Sequence, residues 1–197
     1  MPAEVLLQDI TGLILAGGRG QRVGGADKGW VMHDGKPLIV SVVDRFASQV
    51  GQLLISANRN LERYAALGTV VEDDAADAHG QRFAGPLIGV LGGMRRARSE
   101  WLAIVPCDVP HLPSDLVQRL MSATLKAEAP AGCARVGDQL QPVFAVVKTS
   151  TMDRLAQSIA AGERAMHRWL ESLDAVAVDF DDAQAFVNIN ALPARDQ

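Results

Sequence analysis

Leu15-Ala16-Gly17-Gly18 closes an apolar run containing Ile10, Leu13, Ile14 and Leu15, and it is followed by Arg22, Gly24, Gly25, Asp27 and Lys28. This order predicts a strand that ends in a phosphate-cradling loop. Glycine has no Cβ, so Gly17, Gly18, Gly20, Gly24 and Gly25 let backbone N–H groups approach an anion and point into a shared concavity. Arg22 and Lys28 add formal charge, and a guanidinium with an ammonium suits a triphosphate by geometry as well as by sign. A turn that only bends the chain has no need of two cations flanking its glycines.

Two other glycine-rich loops fail on spacing. The P-loop, G-x-x-x-x-G-K-[ST], needs a hydroxyl after its lysine, but Lys28 is followed by Gly29 and Trp30. The dinucleotide fingerprint G-x-G-x-x-G, started at Gly18 and Gly20, demands glycine where Val23 stands.

Outward from this loop, apolar runs alternate with amphipathic segments, the signature of a βαβ sheet. Strands are expected near 11–16, 52–57, 70–71 and 101–105, the last apolar throughout as a strand buried on both faces should be. Helices are expected at 37–50, where Leu38, Val42, Phe46 and Val50 recur every four residues, around Leu61, Tyr64 and Leu67, and at 86–98. A helix is expected to begin at Pro113 with Leu116, Leu120 and Met121 inward. Another is expected to start at Ser150, capped together with Asp153, and to stop at Gly162. Residues 131–136 and 140–147 read as a hairpin-like pair and 175–180 as one more strand. The result is an α/β fold with a mostly parallel sheet and antiparallel additions. Residues 72–85 form a long acidic loop of the kind that usually carries function.

In open parallel sheets ligands bind beyond the C-terminal strand ends, and Gly17, Asn58 and Asp108 each follow a predicted strand. Asp108, between Pro106 and Pro110, suits Mg²⁺, a hard octahedral cation that takes one or two carboxylates and completes its shell with phosphate oxygens and water. Asn188 and Asn190 flank Ile189 and, in an extended segment, face the same side.

Composition narrows the partners. The chain has 197 residues, 48% of them hydrophobic and 21% charged, which suits one soluble domain over 1–197. A net charge of −4 argues against coating nucleic acid or a membrane surface, since both call for a basic excess. Met1-Pro2-Ala3-Glu4 lacks the start of a signal peptide and no run is long enough to span a bilayer, so a cytoplasmic protein is expected. Cys107 and Cys133 form no C-x-x-C pair and read as reduced thiols. None of the four histidines, His33, His79, His111 and His167, has a partner at catalytic or metal spacing.

The runs Leu15-Ala16-Gly17-Gly18, Arg22-Val23-Gly24-Gly25-Ala26-Asp27-Lys28 and Gly35-Lys36-Pro37-Leu38 resemble the signature of nucleotidyltransferases with a three-layer Rossmann-like fold. Within that group the chain is most similar to the molybdenum cofactor guanylyltransferases. Ser56-Ala57-Asn58-Arg59, Glu72-Asp73, Gly85-Pro86-Leu87, Pro106-Cys107-Asp108-Val109-Pro110, Gln141-Pro142 and Phe186-Val187-Asn188-Ile189-Asn190 extend the match over nearly the whole length. Val23 stands where the family usually has methionine, and residues 74–84 make a longer segment than is typical.

The resemblance implies transfer of GMP from GTP to molybdenum-molybdopterin, with Mg²⁺ as cofactor and pyrophosphate as leaving group. It sets the Leu15 to Gly18 backbone against the base and gives Arg22, Lys28 and Asp108 the catalytic work, with Gly25, Gly85, Asn188 and Asn190 lining the site. Guanine presents N1–H and N2–H₂ together, which one carboxylate can accept. Asp73 is the candidate, with Asp74 as the neighbouring alternative and Asn58 or Ser56 assisting. The second glycine after Ala16 matches the guanylyl branch, while the cytidylyl branch tends to carry alanine. Residues 89–96, Gln141 and Pro142 are the analogous lining for the pterin. A monomer is expected, touching molybdenum-insertion proteins and molybdoenzyme chaperones transiently. The rivals are a cytidylyltransferase for the same pterin, a sugar-phosphate nucleotidyltransferase, and a nucleotide-binding module without turnover.

Overall fold

Side chains alternate across a strand, and the first strand is apolar on both sides, so it can only be central. In the computed structural model, which describes residues 6–17, 27–72 and 85–189, this strand is β1 (Ile10–Leu15). It pairs in parallel with β4 (Gln52–Ser56) on one side and β6 (Trp101–Pro106) on the other. A short antiparallel ribbon, β2 (Met32–His33) and β3 (Lys36–Pro37), stands apart from the main sheet. The sheet is completed by β5 (Thr69–Val71), β7 (Ala131–Val136), β8 (Gln139–Lys148) and β9 (Val176–Phe180), in the order β5-β4-β1-β6-β8-β7-β9. Only β8 runs against its neighbours: it is antiparallel to β6 and β7, whereas β7 and β9 are parallel.

Two layers of helix cover the sheet. Ile10, Ile14, Trp101, Ala103 and Val105 face α1 (Leu38–Phe46) and α4 (Leu116–Lys126). Leu13, Leu54, Leu102 and Ile104 face α3 (Pro86–Arg96), α5 (Met152–Ala160) and α6 (Met166–Ser172). The short α2 (Leu61–Ala65) follows β4. The three-layer α/β expectation holds. Among the described residues no helix is long and apolar enough to cross a membrane.

Helix ends differ from the periodicity reading for local reasons. The first helix leaves α geometry at Phe46 and tightens into a 3₁₀ turn at Ala47–Gln49. The buried Gln49 amide donates to the carbonyls of Arg45 and Pro113, each at 2.9 Å, and its oxygen accepts from the Val117 N–H at 3.0 Å. This one side chain satisfies the end of α1 and the start of α4, which therefore begins at Leu116 and not at Pro113. Ser150 does not cap α5: a 3₁₀ turn at Thr149–Thr151 precedes the helix, and the Thr151 hydroxyl donates back to Lys148. Gly162 does stop it. At φ +94° its N–H donates to Ile159 while Glu163 donates to Ser158, a Schellman closure. The helix α6 is one that the sequence reading does not include, although Met166, Trp169 and Leu170 are buried at helical spacing.

Candidate active site

Parallel register brings the predicted strand ends into line. Leu15 pairs with Ser56 on one side and Pro106 on the other, so Gly17, Asn58 and Asp108 each stand two residues beyond one row across three strands. The Ala16 N–H donates to Ser56 and the Cys107 N–H to Leu15, which carries the ladder one step past the strands before the chains diverge. The chain moves outward from β1 to β4 and β5 and then returns to place β6 on the other side of β1. The crevice beside β1 is therefore a topological switch point, where open sheets hold their ligands.

Lys28 reaches this row from a distant segment. Its Nζ lies 3.3 Å from Oδ2 of Asp108, whose side chain is 8% exposed against 30% for the lysine. A carboxylate buried to this degree needs compensation, and the ammonium supplies it. The Asp108 carbonyl accepts from the Ile189 N–H at 2.9 Å, which ties the late segment to the site and brings the exposed Asn188 beside it. Cys107, between Pro106 and Asp108, is a fully enclosed thiol. Burial pushes its pKa up, and the neighbouring Asp108 carboxylate adds in the same direction, so it is no nucleophile at neutral pH.

The glycines of α3 seat that helix against the strand ends. A Cβ on Gly93 would meet Leu13 Cδ2 at 2.7 Å, and one on Gly89 would meet Ser56 Oγ at 2.6 Å and Leu15 Cδ2 at 3.1 Å. The helix therefore runs antiparallel to β1, and its N-terminus, entered through Gly85 at φ +95°, opens toward the row. The positive end of its dipole favours an anion there. The same packing covers Ser56, which is 2% exposed beneath Gly89, whereas Asn58 is half-buried at the row itself. Leu15 and Gly17 are partly exposed and Ala16 is buried.

Gln141 and Pro142 also fall near this end. The β6–β8 pairing stops at Ile104 with Ala145, and the β7–β8 register shifts between Cys133 and Ala134, leaving 142–144 of β8 as a bulge. Proline is tolerated in a strand at such a bulge. Arg22, Gly18, Gly25, Asp73 and Asn190 lie outside the described residues, as does His79. Among the described residues no three His, Cys, Asp or Glu side chains cluster as a metal centre. Asp108 is thus a single carboxylate donor, a set that fits Mg²⁺ sharing its shell with phosphate oxygens and water and does not fit an all-protein cage.

Sequence reasoning gave no site role to three residues here, although Asp27 stands in the glycine-loop motif. Asp27, Asn60 and Tyr64 join behind Lys28: the Asn60 amide donates to Asp27 Oδ2 at 2.9 Å and the Tyr64 hydroxyl to Oδ1 at 2.5 Å. The available signal was the chain's one tyrosine, fully buried on a short helix that also carries Glu62 and Arg63.

Strand ends aligned in one row at a topological switch point make an open Rossmann-like sheet of the ligand-binding kind, and the comparisons make it a nucleotidyltransferase. The family model described as "MobA-like NTP transferase domain" matches residues 12–176. The "Molybdenum cofactor guanylyltransferase" of Burkholderia vietnamiensis is 46% identical over 97% of this chain and 95% of its own. The protein of the same name from Cupriavidus metallidurans is 44% identical over 93% and 91%. In fold, the chain is similar to molybdopterin-guanine dinucleotide biosynthesis protein A of Archaeoglobus fulgidus, with a TM-score of 0.72 at 24% identity over 91% and 92% of the two chains. The chain belongs to the MobA-like NTP transferase domain family.

Proposed function

We propose that this protein transfers GMP from GTP to molybdenum-molybdopterin, giving the guanine dinucleotide cofactor and pyrophosphate. The observation that carries the reading is the meeting of Lys28 with Asp108 at the row that also holds Gly17 and Asn58. The names of the relatives, at 44 to 46% identity over nearly full length, support the choice of substrates. An oxygen of the pterin's terminal phosphate attacks the α-phosphorus of GTP, the bond from that phosphorus to the β-phosphate oxygen breaks, and its electrons leave with pyrophosphate. The acceptor brings its own nucleophile, so the site needs no reactive side chain, and positioning with charge stabilisation does the work.

Lys28 binds the phosphates and, with Arg22, stabilises charge developing on the leaving group. Asp108 would hold Mg²⁺. When bound, the ion supplies Lewis-acid neutralisation of the phosphate oxygens. The Leu15 to Gly18 backbone and Asn58 lie along the nucleotide, Asp73 accepts the guanine edge, and Gly25, Gly85, Asn188 and Asn190 line the rim. Ser56, buried beneath Gly89 of α3, supports this end of β4 from below. The enzyme acts in this reading as a cytoplasmic monomer.

Pyrophosphate release from GTP and Mg²⁺, with and without molybdenum-molybdopterin, tests the reading. Release that requires the pterin is expected. Release with a sugar phosphate in its place would contradict the reading, and so would GTP binding with no turnover.

A further inference from the structure

Lys28 is a flexible side chain on a short 3₁₀ turn, Lys28–Trp30, and such a turn has too few hydrogen bonds to fix a charge on its own. Its geometry is set from behind. Asp27, at the N-cap, accepts from the Gly29 N–H at 3.3 Å through Oδ1, and its carbonyl accepts from the Trp30 N–H at 3.1 Å. The same Oδ1 takes the Tyr64 hydroxyl, and Oδ2 takes the Asn60 amide. Both carboxylate oxygens are thus held, by donors from two separate parts of the chain.

Each donor is itself constrained. Tyr64 is fully buried on α2, its ring 5.2 Å from that of Trp30, and the Arg63 guanidinium covers Trp30 from 3.8 Å. Asn60 has φ +51° and ψ +36°, a left-handed conformation that asparagine tolerates better than most residues. It lies two residues beyond Asn58, so the exit of β4 delivers one asparagine to the crevice and the next to Asp27. Gly29 has no room for a side chain: a Cβ there would lie 2.5 Å from the Tyr64 oxygen and 3.3 Å from Ile39 Cβ. Burial, with the Asp27 hydrogen bond added, pushes the Tyr64 pKa up, so the phenol keeps its proton and remains a donor.

We propose that Tyr64, Asp27 and Asn60 are positioning residues for nucleotidyl transfer: together they clamp the turn from which the Lys28 ammonium meets Asp108 and the nucleotide phosphates. The clamp couples the exit of β4 to the lysine, so that Asn58 and Lys28 are set by one hydrogen-bonded unit. The catalytic part of this inference rests on the phosphate role given to Lys28 above. The clamp itself rests on the contacts of Asp27.

Tyr64→Phe in the full chain removes the hydroxyl and keeps the ring that packs on Trp30. Hydrogen exchange at the Gly29 and Trp30 amides is expected to speed up, and kcat to fall about 10-fold with the KM for GTP nearly unchanged, the coupling expected between residues of one network. In a Lys28→Ala background the same substitution is expected to cost little further, because its effect passes through the lysine. A purely structural tyrosine would lower the melting temperature and leave kcat per folded molecule unchanged, and that result overturns the proposal. Equal losses of kcat in both backgrounds overturn it as well, as does unaltered exchange at Gly29 and Trp30. Undiminished turnover in Lys28→Ala would instead contradict the phosphate role of Lys28, while the exchange measurement still reports on the clamp.

Discussion

Lys28 Nζ and Asp108 Oδ2 are 3.3 Å apart although the residues are 80 positions apart in sequence. The two arrive by different routes, Asp108 at the end of a buried central strand and Lys28 on a turn held by Asp27. The unequal exposure of the pair matters for function. The lysine has a solvent side from which phosphate can approach, while the carboxylate is enclosed and fixed in place. In the proposed reading a triphosphate with Mg²⁺ would offer each of them a stronger partner of the right sign, and the pair would separate onto the ligand.

Asp108→Asn keeps the volume and removes the charge. The protein is expected to remain folded, since the Ile189 N–H still has its carbonyl partner, and to lose at least ~100-fold in turnover, on the order of one charge-stabilising group. Magnesium titration of wild type and variant checks it. Near-normal turnover of the variant at low magnesium would remove Asp108 from the metal.

Gly89→Ala forces a methyl against Ser56 Oγ and Leu15 Cδ2 at the strand ends. Overpacking of this kind costs about 1–3 kcal/mol, and here it also pushes the N-terminus of α3 away from the row. A lower melting temperature and a raised KM for GTP are expected. Ser56→Ala in the same chain should restore part of both, because it removes the nearest clashing atom. Failure of the second change to recover either would mean that the α3 contact does not shape the nucleotide site.

Alkaline pH should destabilise the fold. Burial raises the pKa of the Cys107 thiol and of the Tyr64 phenol in the folded chain, whereas the unfolded groups titrate near about 8.5 and 10. Above those values the unfolded state binds fewer protons than the folded one, so the unfolding free energy falls as pH rises. Denaturant midpoints should be level up to pH ~8 and then decline, with a shallower decline in Cys107→Ala. A flat profile through pH ~10 would contradict the burial of both groups.

Much of this was legible because central parallel strands are apolar on both faces and leave the sheet at fixed points. The 101–105 run and the glycines after Leu15 located two strand ends, and register did the rest by aligning Gly17, Asn58 and Asp108. Helix ends were less legible. Gln49 closes α1 through Arg45, four positions back, but opens α4 through bonds to Pro113 and Val117, more than sixty positions away, which no local capping pattern encodes. The Asp27 clamp was hidden for the same reason: its donors come from the β4 exit and α2. Ser56 is a different case. It stands in a motif beside Asn58, but strand alternation turns it under α3, and only the packing of Gly89 reveals this.

Guanylyl transfer is read most plainly from the choice of base. Asp73 lies outside the described residues, so its role stands on chemistry: a carboxylate that accepts both guanine donors is left unpaired by another base, at a cost of about 1–3 kcal/mol. GTP, CTP and ATP should be offered together with Mg²⁺ and molybdenum-molybdopterin, and the nucleotide in the product identified, for wild type and for Asp73→Ala. Guanine dinucleotide is expected almost alone from wild type and a narrower preference from the variant, with magnesium dependence intact. Unchanged selectivity in the variant would move the base contact to Asp74 or to the backbone. Cytosine dinucleotide as the main wild-type product would contradict guanylyl transfer.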